Sequence, residues 1–204
     1  MYSFNKQNYY QLCDQLAAED HDFATVIQNH GYPPFWSRAN TFETLVHIIL
    51  EQQVSLASAL SALNKLKERI QEISPARVLM LTDEELKACY FSRQKTTYVK
   101  YLAEALLSGQ LNLSELEHLE DDEVRSRLTA LKGIGNWTVD IYLLMVLHRT
   151  NIFPIGDLAI VNAMKKLKAL PKLTTKEELM LMAEHWHPYR SIAAMLLWHY
   201  YLSK

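Results

Sequence analysis

Residues 131–138 read LKGIGNWT, with two glycines, Gly133 and Gly135, set two apart between apolar runs of helical spacing. Glycine at such a place permits positive φ and the close approach of another group to the backbone. Upstream, Val124, Leu128 and Leu131 share one face of a helix opened by Asp121 or Asp122. Downstream, Asn136 to Leu147 reads as a second helix. So tight a turn leaves the amides of Gly133, Ile134, Gly135 and the next first turn, through Thr138, without partners inside a helix. The helix dipole adds partial positive charge at the same place. An anion such as a phosphate fits there, and Lys132 contributes one formal charge. A plain connection between two helices carries the same signature, so the hairpin alone leaves both readings open.

Helix punctuation continues on both sides. Asn40, with Glu43 three residues on, reads as an N-cap before Phe42, Leu45, Val46, Ile49 and Leu50 at helical spacing. Ser55 opens a run with Leu56, Leu60, Leu63 and Ile70 on one side. Ser74 and Pro75 suit the cap and first position of a helix, while Thr82 with Glu85 and Thr175 with Glu178 form capping boxes. Ser92 opens a helix with Val99, Leu102, Ala103 and Leu106 inward, stopped at Gly109. Asp157 caps a helix reaching Leu167, and Pro188 begins a last one to about Tyr201. No alternation of period two runs for a useful length, so the pattern predicts an all-α chain.

Composition narrows the function classes. Only 5 Gly and 6 Pro occur in 204 residues, which favours long helices over many short strands joined by turns. With 49% hydrophobic and 22% charged residues the chain is too apolar to be disordered. A formal net charge of −2 excludes a generally basic nucleic-acid binder, so any contact with nucleic acid has to be local. No apolar stretch approaches the roughly 20 residues of a membrane span, and the first residues lack the apolar core of a secretory signal. A cytoplasmic location is therefore expected. Cys13 and Cys89 cannot supply the thiolates of a zinc ribbon or an iron–sulfur cluster. His185 and His187 have the wrong spacing for one helical face and no metal role is assigned to them.

LKGIGNWTVDIYLLM (131–145), with FPIGDLAI (153–160) downstream, strongly resembles the helix-hairpin-helix DNA glycosylases, which excise damaged bases. Three further segments match in the same order: FETLVHIILEQQVSLASA (42–59), FSRQKTTYVKYLAEAL (91–106) and WHPYRSIAAMLLWHY (186–200). They look like the corresponding segments of bacterial DNA-3-methyladenine glycosylase II. The resemblance runs from about Gly31 to Tyr200.

That resemblance implies roles. Asp157, 20 residues after Trp137, matches the catalytic aspartate. A carboxylate there stabilises the electron-deficient sugar C1′ as the N-glycosidic bond opens, and can orient or deprotonate the attacking water. Such a role can coexist with helix capping. Relatives that also cut the backbone carry a lysine where this chain has Trp137, and a Schiff base needs an amine, so a monofunctional enzyme is expected. The damaged base must leave the duplex. Within Glu51-Gln52-Gln53-Val54-Ser55, the position of the inserting wedge falls on Gln53, polar where relatives place leucine, with Gln52 and Ser55 as further DNA contacts. Trp137 and Trp198 match aromatic positions that line the alkylbase pocket, with Tyr142, Phe35 and Trp36 as neighbours. A cationic alkylpurine gains from an indole face. The carbonyls of Thr129, Leu131 and Ile134 match a family site for a sodium or potassium ion; no other cofactor is expected.

The expected architecture is two helical lobes, 41–147 holding the hairpin and 1–40 plus 148–204 carrying Asp157, with damaged duplex DNA in the cleft between them. A monomer without membrane association is expected, removing alkylated purines of the 3-methyladenine type by hydrolysis. Two alternatives stay open: a non-catalytic binder of DNA structure, and a glycosylase for a deaminated or oxidised purine. Arg93, Lys95 and Lys100, near Tyr98, suit either phosphate contacts or a solvated helix face. Lys165, Lys166, Lys168 and Lys172 form a basic cluster, half of it expected to balance the acidic run Glu115 to Glu123.

Overall fold

A computed structural model describes residues 2–203. Among these residues the regular structure is helical: α1 Tyr9–Glu19, α2 His21–His30, α3 Phe42–Glu51, α4 Leu56–Ile70, α5 Pro75–Leu79, α6 Asp83–Ala88, α7 Arg93–Leu107, α8 Leu113–Leu116, α9 Asp121–Thr129, α10 Asn136–Met145, α11 Leu158–Leu167, α12 Lys176–Ala183 and α13 Arg190–Leu202. A 3-10 turn, Glu184–Trp186, precedes the last. The one β pairing among the described residues is an isolated antiparallel bridge between Ser3 and Arg149. No helix of the described residues is long and apolar enough to cross a membrane.

The chain divides into two compact units, one of residues 38–142 and the other of 1–37 with 143–204. The boundaries placed at 40/41 and 147/148 from the sequence lie at 37/38 and 142/143. The shift has local causes. Arg38 makes a bidentate pair with Glu51, at 2.9 and 2.7 Å, which ties it to α3. Leu143 takes the Arg149 N–H on its carbonyl at 2.9 Å, which ties it to the loop that follows.

In the hairpin-bearing unit, α3 packs on α4 and α7, and α7 packs on α5 and α6. Leu45, Val46, Ile48 and Ile49 of α3 are fully buried, as are Leu66, Val78, Leu86 and Val99 from the helices around it. In the second unit α13 is the centre. Ser191 to Trp198 are all buried, the all-round pattern of a helix enclosed by others. Ser191 shows how that core positions the loop before Asp157: its hydroxyl donates to Arg149 O at 2.5 Å and accepts from Ile152 N at 2.9 Å.

The same unit holds a charged knot. Asp20 caps α2 by accepting from Asp22 N, and its carboxylate takes Lys168 Nζ at 2.6 and 2.7 Å and Trp186 Nε1 at 2.8 Å. Burial alone would push the Asp20 carboxyl up; hydrogen bonds from Lys168 and Trp186, with the lysine's charge, outweigh it and hold the group below the ordinary carboxylate range. A lowered folded-state value means stability that is present above the unfolded value and lost as pH falls through the folded one. Asp20→Asn keeps a good cap and is expected to cost about 1–2 kcal/mol at pH 7, with the gap closing below about pH 4. Urea unfolding at several pH values checks this. A gap that stays constant with pH would assign the effect to shape instead of charge.

Several local expectations are corrected. Thr41, not Asn40, caps α3, accepting from Thr44 N. Asn40 instead donates to Leu113 O and Glu117 Oε1 and accepts the Tyr142 hydroxyl. α10 ends at Met145 instead of Leu147, and the last helix begins at Arg190 with Pro188 in the turn before it. Lys168 pairs with Asp20 and Asp22, not with the acidic run, whose Glu115 and Glu123 are met by Arg127.

Candidate active site

The hairpin between α9 and α10 is shaped by one glycine more than by two. Gly133 has φ +91°, and a Cβ there would sit 2.0 Å from Tyr98 Cγ, so the backbone lies against the face of the tyrosine ring. Gly135 has ordinary backbone angles and open space around it; it contributes an exposed amide instead of a conformation. The Ile134 N–H, expected to face an anion, closes the turn on Leu131 O at 3.2 Å, and the Ile134 side chain is buried. Lys132, Gly135 and Asn136 form the exposed rim.

Gln52 joins this hairpin to the end of α3. Its side-chain amide nitrogen donates to Gly133 O and to Thr138 Oγ1, both at 2.9 Å. The Gln52 amide nitrogen and the hydroxyl of the buried Thr138 are therefore turned to each other and to the hairpin, whereas Gln52 was expected among the DNA contacts. Ser55 is likewise committed as the cap of α4, accepting from Ser58 N. Between them Gln53 is exposed, at φ +57°, a left-handed conformation that glutamine adopts only when its surroundings enforce it. Lys95 donates its ammonium to Leu50 O at 2.5 Å, on the last turn of α3. Lys95 is thus a helix-end partner, and Lys100 is paired with Asp83 at 2.6 Å. Sequence reasoning missed Tyr98 as the hairpin's seat.

In the other unit, Asp157 is half-buried at the start of α11. Its Oδ1 accepts from Ala159 N at 2.9 Å and Ile160 N at 3.1 Å, and its own N–H donates to Pro154 O at 2.9 Å. The carboxylate is therefore fixed in orientation by the first turn, at the end of a helix whose dipole favours a negative charge.

Among the expected pocket aromatics, Trp36 and Trp198 meet edge to face with ring centres 6.4 Å apart. Phe35 belongs elsewhere, packed on Phe4, Tyr9 and His148 at 5.2 to 6.0 Å. Tyr142 is fully buried and donates its hydroxyl to Asn40 Oδ1 at 2.7 Å, a core position that offers no ring face to a base. Trp137, on the first turn of α10, is half-buried in the hairpin unit. No group of three or more His, Cys, Asp or Glu that could hold a metal occurs among the described residues. A carbonyl site needs none of these: Leu131 O has accepted one N–H and keeps a second lone pair for an ion.

The family model for the HhH-GPD superfamily base excision DNA repair protein matches residues 46–188, which include the Gln52 bridge, the hairpin and Asp157. The chain belongs to the HhH-GPD superfamily. Among its HhH-GPD relatives, DNA-3-methyladenine glycosylase 1 of Schizosaccharomyces pombe is 35% identical over 77% of this chain and 71% of its own length. Putative DNA-3-methyladenine glycosylase YfjP of Bacillus subtilis is 27% identical over 86% of this chain, which spans 64% of that relative. The solved structure of S. pombe 3-methyladenine DNA glycosylase (Mag1) in complex with abasic DNA superposes with a TM-score of 0.84 and 30% identity, covering 92% of this chain and 95% of that one.

Proposed function

We propose that this HhH-GPD protein is a monofunctional DNA glycosylase that hydrolyses the N-glycosidic bond of alkylated purines of the 3-methyladenine type in duplex DNA. The observation that carries the reading is Asp157, a carboxylate oriented by two backbone amides at a helix start in the position that the superfamily's catalytic acid takes. Cleavage leaves positive charge at C1′, which a fixed anion stabilises without reorganising. A purine methylated on a ring nitrogen is already cationic and leaves as a neutral base when the bond's electron pair moves to it. Water then adds to C1′ and gives up a proton, for which Asp157 is the acceptor.

Gln53, the exposed polar tip beside the Gln52 bridge, fills the place of the extruded nucleotide. Trp36 and Trp198 in one unit, and Trp137 in the other, each offer an indole face of the kind a cationic base gains from. The rim amides of the hairpin take a backbone phosphate. The carbonyls of Thr129, Leu131 and Ile134 would seat an alkali ion, whose charge would reinforce that hold on phosphate. The protein acts as a monomer on damaged DNA in the cytoplasm.

Trp137 stands where a backbone-cutting relative needs an amine, so no covalent intermediate forms. Incubation with methylated duplex is expected to release free methylpurine, leave alkali-labile abasic sites and give no adduct on borohydride reduction. Tight duplex binding with no base released would make the protein a binder of DNA structure. Release confined to deaminated or oxidised purines would move it to another lesion class, and a borohydride adduct would remove the monofunctional assignment.

A further inference from the structure

Beside the hairpin, an open groove of about 360 Å³ is lined by Arg93, Gln94, Thr97, Tyr98 and Lys132. Its floor is the tyrosine ring that seats Gly133. Its two sides come from distant stretches of sequence, the first turn of α7 and the rim of the turn between α9 and α10. No carboxylate lines it. Gln94 donates to the Tyr98 hydroxyl, which fixes the floor's polar edge, and Lys132 Nζ stands 5.0 Å from the Tyr101 ring centre.

The charges in this groove are unusual for the unit. Arg38, Lys65, Lys67, Arg69, Arg77, Lys100, Arg125 and Arg127 all form ion pairs, and Lys95 is held by Leu50 O. Among the described residues of the unit, the cationic ends of Lys87, Arg93 and Lys132 remain without a carboxylate or carbonyl partner. Two of these three line one groove, and both are exposed. A chain of net charge −2 that neutralises nearly every other cation of a unit and spares two that line one groove has concentrated its positive charge.

We infer that this groove binds a second DNA backbone phosphate, distinct from the one at the hairpin amides, clamped between Arg93 and Lys132 with the polar groups of Thr97 and Tyr98 beneath it. The inference rests on the DNA-binding part of the function proposed above. Arg93 supplies a planar fork of donors and Lys132 a point charge, a pairing suited to a phosphodiester.

Counterion release gives the test, since each phosphate neutralised contributes about 0.9 to the slope of log affinity against log salt. The full chain is titrated onto a duplex containing an abasic-site analogue between 0.05 and 0.5 M salt. Arg93→Gln combined with Lys132→Gln is expected to lower the slope by about one and to weaken binding about eightfold at 0.1 M relative to 1 M. Lys87→Gln removes an equally unpaired cation outside the groove and is expected to leave the slope unchanged. Thermal unfolding of all three forms should coincide, since the side chains are exposed. A double variant with the wild-type slope overturns the proposal, as does a Lys87 variant that changes as much. Base release by the wild type, assayed alongside, separates the two readings. Release with an unaltered slope removes the groove alone, and an altered slope without release removes the enzyme alone. No binding of the duplex by the wild type removes both.

Discussion

Asp157→Asn is expected to reduce release of methylpurine from duplex DNA by at least about 100-fold, the scale of one fixed electrostatic group in a transition state. Duplex affinity and unfolding should stay close to wild type. The substitution isolates charge because asparagine caps helices as well as aspartate does, so the acceptor for Ala159 N and Ile160 N survives. On the proposed mechanism, what is lost is the anion beside C1′ and the acceptor for the water's proton. Asp157→Ala serves as the contrast: it should lose the same activity and, in addition, about 1 kcal/mol of stability with the cap. Single-turnover release on methylated duplex, with enzyme in excess, measures the chemical step apart from product release. A rate for the asparagine variant within tenfold of wild type would place the catalytic group elsewhere.

Gly133→Ala is expected to destabilise the fold strongly. Two costs coincide. At φ +91° an L-residue pays about 1–2 kcal/mol for the left-handed backbone. The new Cβ would also lie 2.0 to 2.4 Å from three carbons of the Tyr98 ring, and overpacking of that kind adds about 1–3 kcal/mol. A total of about 2–5 kcal/mol should appear as a lower denaturation midpoint together with weakened duplex binding. Tyr98→Ala in the same chain removes the clash but not the backbone strain, so the double variant should recover part of the loss. Gly135→Ala meets nothing within 4 Å and should unfold like wild type. Equal effects at the two glycines would contradict the seat on Tyr98.

The contrast between these glycines shows where sequence reading succeeds and stops. Caps closed by residues three apart were legible: Ser55, Ser92 and the boxes at Thr82 with Glu85 and Thr175 with Glu178 all form as read, because their hydrogen bonds are local. Asn40 failed for the opposite reason. Its partners Tyr142 and Leu113 are 102 and 73 residues away, and no local rule ranks them above the nearby helix start. α1 went unread although Tyr9, Leu12, Cys13 and Leu16 have helical spacing and Asn8 stands at the cap position; in the fold the Asn8 side chain accepts from Asn5 N instead of capping the helix. At the candidate site, the tight turn between α9 and α10 and the place of Asp157 at the start of α11 were legible from the motifs. Whether a polar side chain such as Gln52, Thr138 or Lys95 points out or in depends on which helix folds over it, and that is written in the packing of several segments together.

The Gln52 bridge carries one more consequence. Because one amide nitrogen is bonded to both Gly133 O and Thr138 Oγ1, parting the end of α3 from the hairpin would strand both acceptors, which holds the neighbouring Gln53 at a set spacing from the hairpin rim. On the proposed reading, in which the hairpin takes a phosphate, that set spacing decides which nucleotide Gln53 can reach.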